Sequence, residues 1–248
     1  MDVNYYRKGG IHMNEIELLT YLNLENSKPV INLNSYTQKI PPWEEGNPPE
    51  IKIYPNSRAA DFLNVIDLRR STRNLYNAIT KNDLFKLLNL SLGRPFLRRY
   101  FRRYPTSGAC DELGVLIIAN KVEGIPRAAY WAHAENNELK WAADLNDKYL
   151  EFEIESCKHF GLTIDKAPSL TFLIFADWKR LEKKYQNCVL ASALLDCGGM
   201  LQTMSIAAAT IHLRACISGC IRPKLIQDWI GLDCKYFGHV GTICFGAR

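Results

Sequence analysis

The sequence lacks the features of several protein classes. Its 248 residues contain no internal repeat and no low-complexity tract. With 47% hydrophobic and 23% charged residues, the composition is that of an ordinary globular protein, which excludes intrinsic disorder, a collagen-like chain and a coiled coil. The net charge is only +5. That excess permits an anionic ligand but falls far short of the basic stripe of a nucleic-acid binder.

Signals for export and for a membrane span are also scarce. No apolar run follows the charged residues of Met1–Lys8, so no secretory signal is predicted. One apolar stretch, Cys188–Leu213, is long enough to cross a bilayer. It carries Asp196, Gln202 and His212, however, which are unfavourable in hydrocarbon. We expect a core helix there, in a soluble and cytoplasmic protein.

Closely spaced metal ligands are missing too. Seven of the eight cysteines lie in the last two-fifths of the chain, from Cys157 to Cys244. Three residues separate Cys216 from Cys220, whereas zinc and redox motifs have two, and the five histidines do not fall at ligand spacing. Disulfides are rare in a reducing cytosol. We therefore expect no metal site, and cysteines that mostly pack as small apolar core residues.

The chain changes character near residue 57. Residues 1–57 hold six of the eleven prolines and show little hydrophobic periodicity. This composition is typical of an extended arm that wraps a surface, such as that of a partner subunit. Residues 58–248 carry regular helix and strand patterns, and we expect them to form a domain with its own core.

Interleaved patterns predict an α+β domain. Short apolar runs predict buried strands over residues 115–119, 170–176 and 240–245, and a hairpin that joins 130–132 to 139–141. Helical spacing and end signals predict helices over residues 60–66, 83–93, 146–160, 188–213 and 223–231. The fourth of these helices is apolar on all sides, which predicts burial all round and favours a central position at a subunit interface.

Three short segments carry groups suited to a flat, phosphate-bearing ligand. Residues 69–73 (RRSTR) offer guanidinium and hydroxyl donors for phosphate oxygens, although a solvated basic turn is the alternative. The turn at residues 105–109 (PTSGA) lets backbone N–H groups approach a flat or anionic ligand closely. The pair Lys184-Tyr185 precedes the long helix by about one turn.

In this order, and together with residues 193–202 (ALLDCGGMLQ), these segments resemble the FMN-dependent nitroreductase superfamily. Within it, Lys184-Tyr185 is similar to a pair in the azoline dehydrogenases (SagB-type) of thiazole/oxazole-modified peptide biosynthesis. The resemblance covers about residues 58–248. It implies a nitroreductase-like fold with a central mixed β-sheet flanked by helices. It also implies a homodimer built around the long buried helix, with FMN at the dimer interface.

The resemblance implies roles for particular residues. Lys184 and Tyr185 match the pair credited with removal of the substrate proton. The residues implied to hold FMN are Arg69, Ser71, Arg73, Pro105, Thr106, Ser107, Gly108, Gln202 and Gly219. The sequence departs from the family pattern at Thr106, where Ser is usual, at 111–112, where Tyr-Pro is usual, and at His212, where Gly is usual.

The implied activity is the oxidation of thiazoline or oxazoline rings in a modified peptide to thiazole or oxazole. The hydride would go to FMN and the proton to a Lys/Tyr base. Lys and Tyr are ordinarily protonated at neutral pH, so burial or a neighbouring cation must lower the pKa of the base. The implied partners are a second copy of the chain, cyclodehydratase subunits and a heterocycle-containing precursor peptide, without membrane or nucleic acid.

Two other functions fit the same residues. One is an NAD(P)H-dependent nitro/quinone reductase, and the other is a non-catalytic nitroreductase-fold subunit of a biosynthetic complex. A cluster of arginines interleaved with aromatic residues adds a further ambiguity, because it suits a solvated connector, a docking patch for an acidic partner or RNA contact. Its members are Arg94, Arg98, Arg99, Arg102 and Arg103. The resemblance favours the connector or the docking patch.

Overall fold

The computed structural model describes residues 57–94, 102–133, 138–219, 223–233 and 235–248. The helices in these ranges are α1 (Ser57–Leu68), α2 (Lys81–Leu92), α3 (Asp147–Phe160), α4 (Trp178–Glu182), α5 (Val189–Thr210) and α6 (Pro223–Ile230). The strands are β1 (Ile79–Thr80), β2 (Leu113–Ala119), β3 (Val122–Glu123), β4 (Ala128–His133), β5 (Glu138–Ala143), β6 (Leu170–Asp177), β7 (Arg214–Ser218) and β8 (Phe237–Gly246). The arm predicted for residues 1–57 lies outside the described residues, apart from Ser57 at the start of α1.

Six strands form the main sheet, in the order β5-β4-β2-β6-β8-β7. Every neighbouring pair in it is antiparallel, so the predicted mixed sheet is wrong. The long crossover through α4 and α5 brings β7 back parallel to β6, but β8 inserts between them and runs opposite to both. Within the described ranges, parallel pairing is found between β1 and β3 and at the isolated bridge from Ser71 to Ala215.

Helices cover both faces of this sheet, as the α+β prediction requires. On one face α2 and α5 supply Leu87, Leu88 and Met204 to the core. On the other face α3 and α6 supply an aromatic group that includes Phe152 and Trp229. Because β2 and β6 lie at the centre, their apolar runs are buried on both faces, which confirms the strands predicted there.

Local signals mark the helix ends and the hairpin correctly. Asn146 precedes α3, and its side-chain oxygen accepts the N–H of Tyr149 at 3.2 Å, as an N-cap residue does. Gly161 ends the same helix at φ 65°, a left-handed conformation that glycine adopts without strain. The predicted hairpin is formed by β4 and β5, with Tyr130 opposite Trp141.

The long helix α5 is a core helix with one open side. By length and composition it could cross a membrane, but half of its most apolar stretch is buried inside the fold. The predicted burial on all sides is wrong, because Leu195 is 76% exposed and Ala191, Gly198 and Gln202 lie on the same exposed stripe. The composition of α5 shows that the helix is apolar. Which of its sides is exposed to solvent depends on where α2 and the sheet pack against it.

The described cysteines are all free thiols. Burial raises the pKa of Cys157 to about 11 and those of Cys197 and Cys244 to about 12, so these three are inert core residues. Cys188, expected on a buried helix, is exposed at the start of α5 instead. No group of three His, Cys, Asp or Glu side chains converges as a metal site among the residues with described positions.

Candidate functional site

The turn before β2 has a strained backbone. Ser107–Ala109 forms one turn of 3₁₀ helix, and Gly108, Ala109 and Asp111 have φ angles of 52°, 56° and 54°. Residues other than glycine avoid this left-handed region, at a cost of about 1–3 kcal/mol each. Contacts from the rest of the fold must therefore hold the turn in place, as is common at binding sites.

Helix α5 holds this turn from one side. A carboxylate oxygen of Asp196 accepts the backbone N–H of Ser107, and the other accepts the Ser107 hydroxyl at 3.0 Å. Pro105 packs on Gly199 so closely that a Cβ there would stand 3.0 Å from the Pro105 Cδ. A glycine at position 199 of the long helix allows this close contact. No pattern in the sequence identified Asp196 as the residue that anchors the turn.

The pair Lys184-Tyr185 reaches the same turn from another side. Both backbone N–H groups bond to the Leu181 carbonyl, at 2.9 and 2.8 Å, as the chain leaves α4. The Lys184 ammonium donates to the Gly108 carbonyl at 3.0 Å. A Cβ on Gly108 would overlap that ammonium and lie 2.7 Å from the Tyr185 hydroxyl. Two predicted site segments, 76 residues apart in sequence, therefore meet at Gly108.

A second part of the site is a cavity of about 210 Å³ between the end of α1, α5 and β7. Four arginines line it, namely Arg69, Arg70, Arg214 and Arg248. Thr72 and Ser205 contribute hydroxyls, and no Asp or Glu side chain is among the lining residues. Planar guanidinium groups bind phosphate oxygens in pairs, so this cavity suits a phosphate. Arg214 and Arg248 had no signal in the sequence, since they lie far along the chain from the RRSTR segment.

The remaining predicted residues lie around these two parts. Ser71 and Arg73 do not line the arginine cavity: Ser71 bridges to Ala215 at the edge of the sheet, and Arg73 lies beside Cys216. Burial raises the pKa of the Cys216 thiol, and the Arg73 guanidinium opposes that rise. Gly219 follows β7, with open space where a Cβ would stand.

Helix α5 connects the turn to the arginine cavity. Gly199 contacts the turn, and Ser205 and Ala209 line the cavity. At 1.5 Å per residue, the two parts lie about 9 to 15 Å apart along the helix axis. Gln202 lies between them on the exposed stripe. This arrangement suits a ligand with an anionic group at one end and a flat group at the other.

Arginines of the predicted basic cluster bind within the fold. Arg102 donates to both carboxylate oxygens of Asp111 at 2.6 Å, and Arg94 approaches the same carboxylate at 3.4 Å. Arg180 donates to the Asp111 carbonyl at 2.7 Å. Burial alone would raise the pKa of Asp111, but these arginines outweigh it and lower that pKa. Arg94 and Arg102 therefore bind a carboxylate within the fold, unlike the residues of a solvated connector, and Arg98 and Arg99 lie outside the described residues.

A larger cavity, of about 500 Å³, begins where the turn joins β2. Its walls include the aromatic rings of Trp131, Phe175 and Phe237. Its charged residues are of both signs, namely Arg102, Asp111, Glu112, Asp177 and Arg180. This volume is within the range of cavities that hold small molecules.

Comparisons with known proteins agree with this architecture. A family model described as the nitroreductase family matches residues 66–247. No curated protein sequence matches the chain.

Solved structures share the fold at low sequence identity. One is from the E. coli microcin synthetase McbBCD complex with truncated pro-MccB17 bound, at 17% identity and a TM-score of 0.64, covering 93% of this chain and 91% of that chain. A structure described as a nitroreductase from Ralstonia eutropha is 15% identical, with a TM-score of 0.61 and coverage of 82% and 87%. One from Desulfovibrio desulfuricans, in complex with FMN, is 15% identical, with a TM-score of 0.52 and coverage of 75% and 86%.

Proposed function

The chain belongs to the nitroreductase family, and from that premise we propose that it is an FMN-dependent azoline dehydrogenase. It would oxidise thiazoline or oxazoline rings of a modified peptide to thiazole or oxazole. The observation that carries this proposal is the meeting of Lys184 and Tyr185 with the strained turn at Gly108. A general reductase needs a flavin site but has no need of a proton acceptor pair at that position.

The residues present fit FMN. The arginines around the cavity of about 210 Å³ would hold its phosphate, and Ser205 and Thr72 would add hydroxyl donors. The turn at residues 105–108 would lie against the isoalloxazine, with Gln202 facing the cofactor between the two. When bound, FMN supplies the acceptor for the hydride that leaves the azoline ring. The roles of Ser71, Arg73 and Gly219 toward FMN stay predictions.

The chain's own contribution to the chemistry is removal of the proton. An azoline becomes aromatic when it loses one hydride and one proton, and a positioned base contributes roughly 10²–10⁴ to the rate. The bond from Lys184 to the Gly108 carbonyl keeps the ammonium beside the Tyr185 hydroxyl at the turn. Lys184 is exposed in the single chain. The burial that a neutral base requires would therefore come from bound substrate or a partner chain.

The proposed assembly is a homodimer that works beside cyclodehydratase subunits on a precursor peptide, in the cytoplasm. The exposed stripe of α5 supports a second copy as its cover, because Ala191, Leu195 and Gly198 form a contiguous apolar surface, which is typical of an interface. The similarity to a structure from a microcin synthetase complex with a bound pro-peptide supports the peptide partner.

The test combines spectroscopy with an activity assay. We expect the purified protein to show flavin absorption and to oxidise an azoline-containing peptide. Lys184→Ala and Tyr185→Phe should keep FMN and lose roughly 10²–10⁴ in turnover, because each removes part of the base. Lys183→Ala, a change at the exposed neighbouring lysine, should have no effect.

Other outcomes would contradict the proposal. If both variants keep FMN and full turnover, the pair is not the base. Rapid bleaching of bound FMN by NAD(P)H, with turnover of quinones and none of azolines, would indicate a nitro/quinone reductase. Colourless protein that cannot be reconstituted with FMN would indicate a non-catalytic subunit.

A further inference from the structure

Glu112 is a buried acid that the proposed reaction does not use. It directly precedes β2, and its side chain is 3% exposed. Neither of its carboxyl oxygens receives a hydrogen bond from a donor in the part of the chain that is described. An ionised carboxylate without donors is strongly disfavoured in the protein interior. The geometry therefore favours a carboxyl group that keeps its proton.

The polar neighbour of Glu112 is the carboxyl group of Asp196. Asp196 is itself buried, and it accepts two hydrogen bonds from Ser107 that stabilise its charge. Two adjacent buried carboxyl groups cannot both ionise readily, because their charges repel in a medium of low dielectric constant. Ser107 donates two hydrogen bonds to Asp196 and no donor among the described residues reaches Glu112, so the geometry favours a proton on Glu112.

We propose that Glu112 and Asp196 share one proton at mildly acidic pH and that this proton positions the turn at residues 105–109. The proton is held on Glu112, whose O–H donates to Asp196. Asp196 then accepts hydrogen bonds from both Glu112 and Ser107, which ties the turn to β2 as well as to α5. Glu112 is a positioning residue in this arrangement, since it acts on the turn through Asp196.

The other charged groups around Glu112 leave this arrangement intact. Asp111, on the same segment, adds further negative charge, while Arg102 and the Arg180 side chain from α4 bind Asp111. Lys184 donates to the Gly108 carbonyl. Two weakly acidic neighbours, Tyr104 and Cys110, have pKa values raised first by burial and then by the nearby carboxyl groups, so both stay protonated.

The position of the proton depends on pH. Burial first, and then Asp196, raise the pKa of Glu112 from an ordinary value of 4.5 to about 7. Above that pH, Glu112 ionises, repels Asp196 and loosens the turn. The burial of both carboxyl groups and the bonds from Ser107 to Asp196 support the shared proton independently of the proposed function, whereas any effect of the turn on a bound cofactor rests on that function.

Infrared spectroscopy of the full chain tests the shared proton directly. We expect a band of a buried protonated carboxyl group that disappears as the pH rises through about 7. Glu112→Gln should lack this band, and Glu151→Gln, at an exposed position on α3, should keep it. Absence of the band in the wild type below pH 7, or its survival in Glu112→Gln, would overturn the proposal.

A second variant covers the case in which Glu112→Gln does not fold. In Asp196→Asn a neutral amide replaces the neighbouring charge and can donate to Glu112, so the band should titrate at a lower pH than in the wild type. An unchanged titration midpoint would overturn the proposal. Wild-type protein that shows the band but binds no FMN would support the shared proton and count against the proposed function.

Stability gives an independent measurement. Because the folded pKa lies above the unfolded value, the folded chain binds one more proton between about pH 4.5 and 7. The thermal midpoint of the wild type should therefore fall relative to that of Glu112→Gln across this window and level off above it. Parallel pH profiles for the two proteins would overturn the proposal.

Discussion

At the scale of single residues, the site depends on backbone conformations that side chains usually avoid. Ala109 and Asp111 take positive φ angles in the turn, and His212 does so just after α5, at φ 60°. The resemblance to the family implies Gly at the position of His212, and the left-handed backbone there is one that glycine adopts without strain. In the turn, the hydrogen bonds of Ser107 to Asp196 and of Lys184 to the Gly108 carbonyl offset the same kind of strain.

Substitutions at two glycines distinguish the effect of backbone strain from the effect of losing the contact with Lys184 and Tyr185. We expect Gly108→Ala to lose at least about tenfold in azoline turnover, because the new Cβ displaces Lys184 and Tyr185 from the turn. The matched control is Gly161→Ala, which has a similar φ but no atom within 4 Å of the new Cβ. Both variants should lose about 1 kcal/mol or more of unfolding free energy, measured by denaturant titration. Equal turnover in the two variants would contradict the proposed contact.

At the scale of secondary structure elements, α5 organises both parts of the site. Asp196 and Gly199 hold the turn, and Ser205 and Ala209 line the arginine cavity. The small residues along α5 allow the turn at residues 105–109 to pack close to the helix backbone. Large side chains at the same positions would prevent this contact. The stripe around Leu195 runs beside these contacts and stays exposed in the single chain.

Charge on that stripe should prevent dimer formation. We expect wild-type protein to be a dimer in sedimentation equilibrium and Leu195→Arg to be a monomer, because each copy would bury a charged group in place of an apolar one. Leu150→Arg is the control, since Leu150 is also an exposed leucine, at 44%, but lies on α3. Wild-type protein that is monomeric, or a Leu195→Arg variant that stays dimeric, would show that the stripe is not the interface.

At the scale of the whole molecule, the arginine cavity is assembled from the two ends of the domain. Arg69 and Arg70 follow α1, Arg214 begins β7, and Arg248 is the last residue of the chain. The modest net charge of +5 is therefore unevenly distributed, with four positive groups around one cavity. The electrostatic attraction for a phosphate is local and is not evident from composition.

The phosphate of FMN should account for a measurable part of its binding. We expect FMN to raise the melting temperature more than riboflavin at equal concentration, since ligand binding stabilises the folded state in proportion to the logarithm of affinity. Arg214→Ala should shrink this difference between the two ligands, because it removes one guanidinium group from the cavity.

The control for this prediction is Arg127→Ala, which removes an exposed arginine that does not line the cavity. It should leave the difference between FMN and riboflavin unchanged. Equal melting temperatures with the two ligands in the wild type would mean that the cavity does not hold the phosphate.

Features that depend on neighbouring residues could be predicted from the amino-acid sequence. Helix ends at Asn146 and Gly161, the central strands and the hairpin all follow local periodicity and capping, and the structure confirms them. The order of short motifs also predicted the nitroreductase-like fold, and the match to the nitroreductase family confirms that prediction. The same motif order predicted that the turn at residues 105–109 and Lys184-Tyr185 belong to one site, and the two segments are in contact in the structure.

Features that join distant segments of the chain depend on the packing of the whole domain and were not predictable from the sequence. The insertion of β8 between β6 and β7 made the sheet antiparallel, and the fold brought Arg214 and Arg248 to the RRSTR segment. The pairing of Glu112 with Asp196 and the open stripe of α5 had no local signal either. The cause is the same in each case: the hydrophobic pattern indicates which residues favour burial, whereas packing decides which of them are buried and which groups become neighbours.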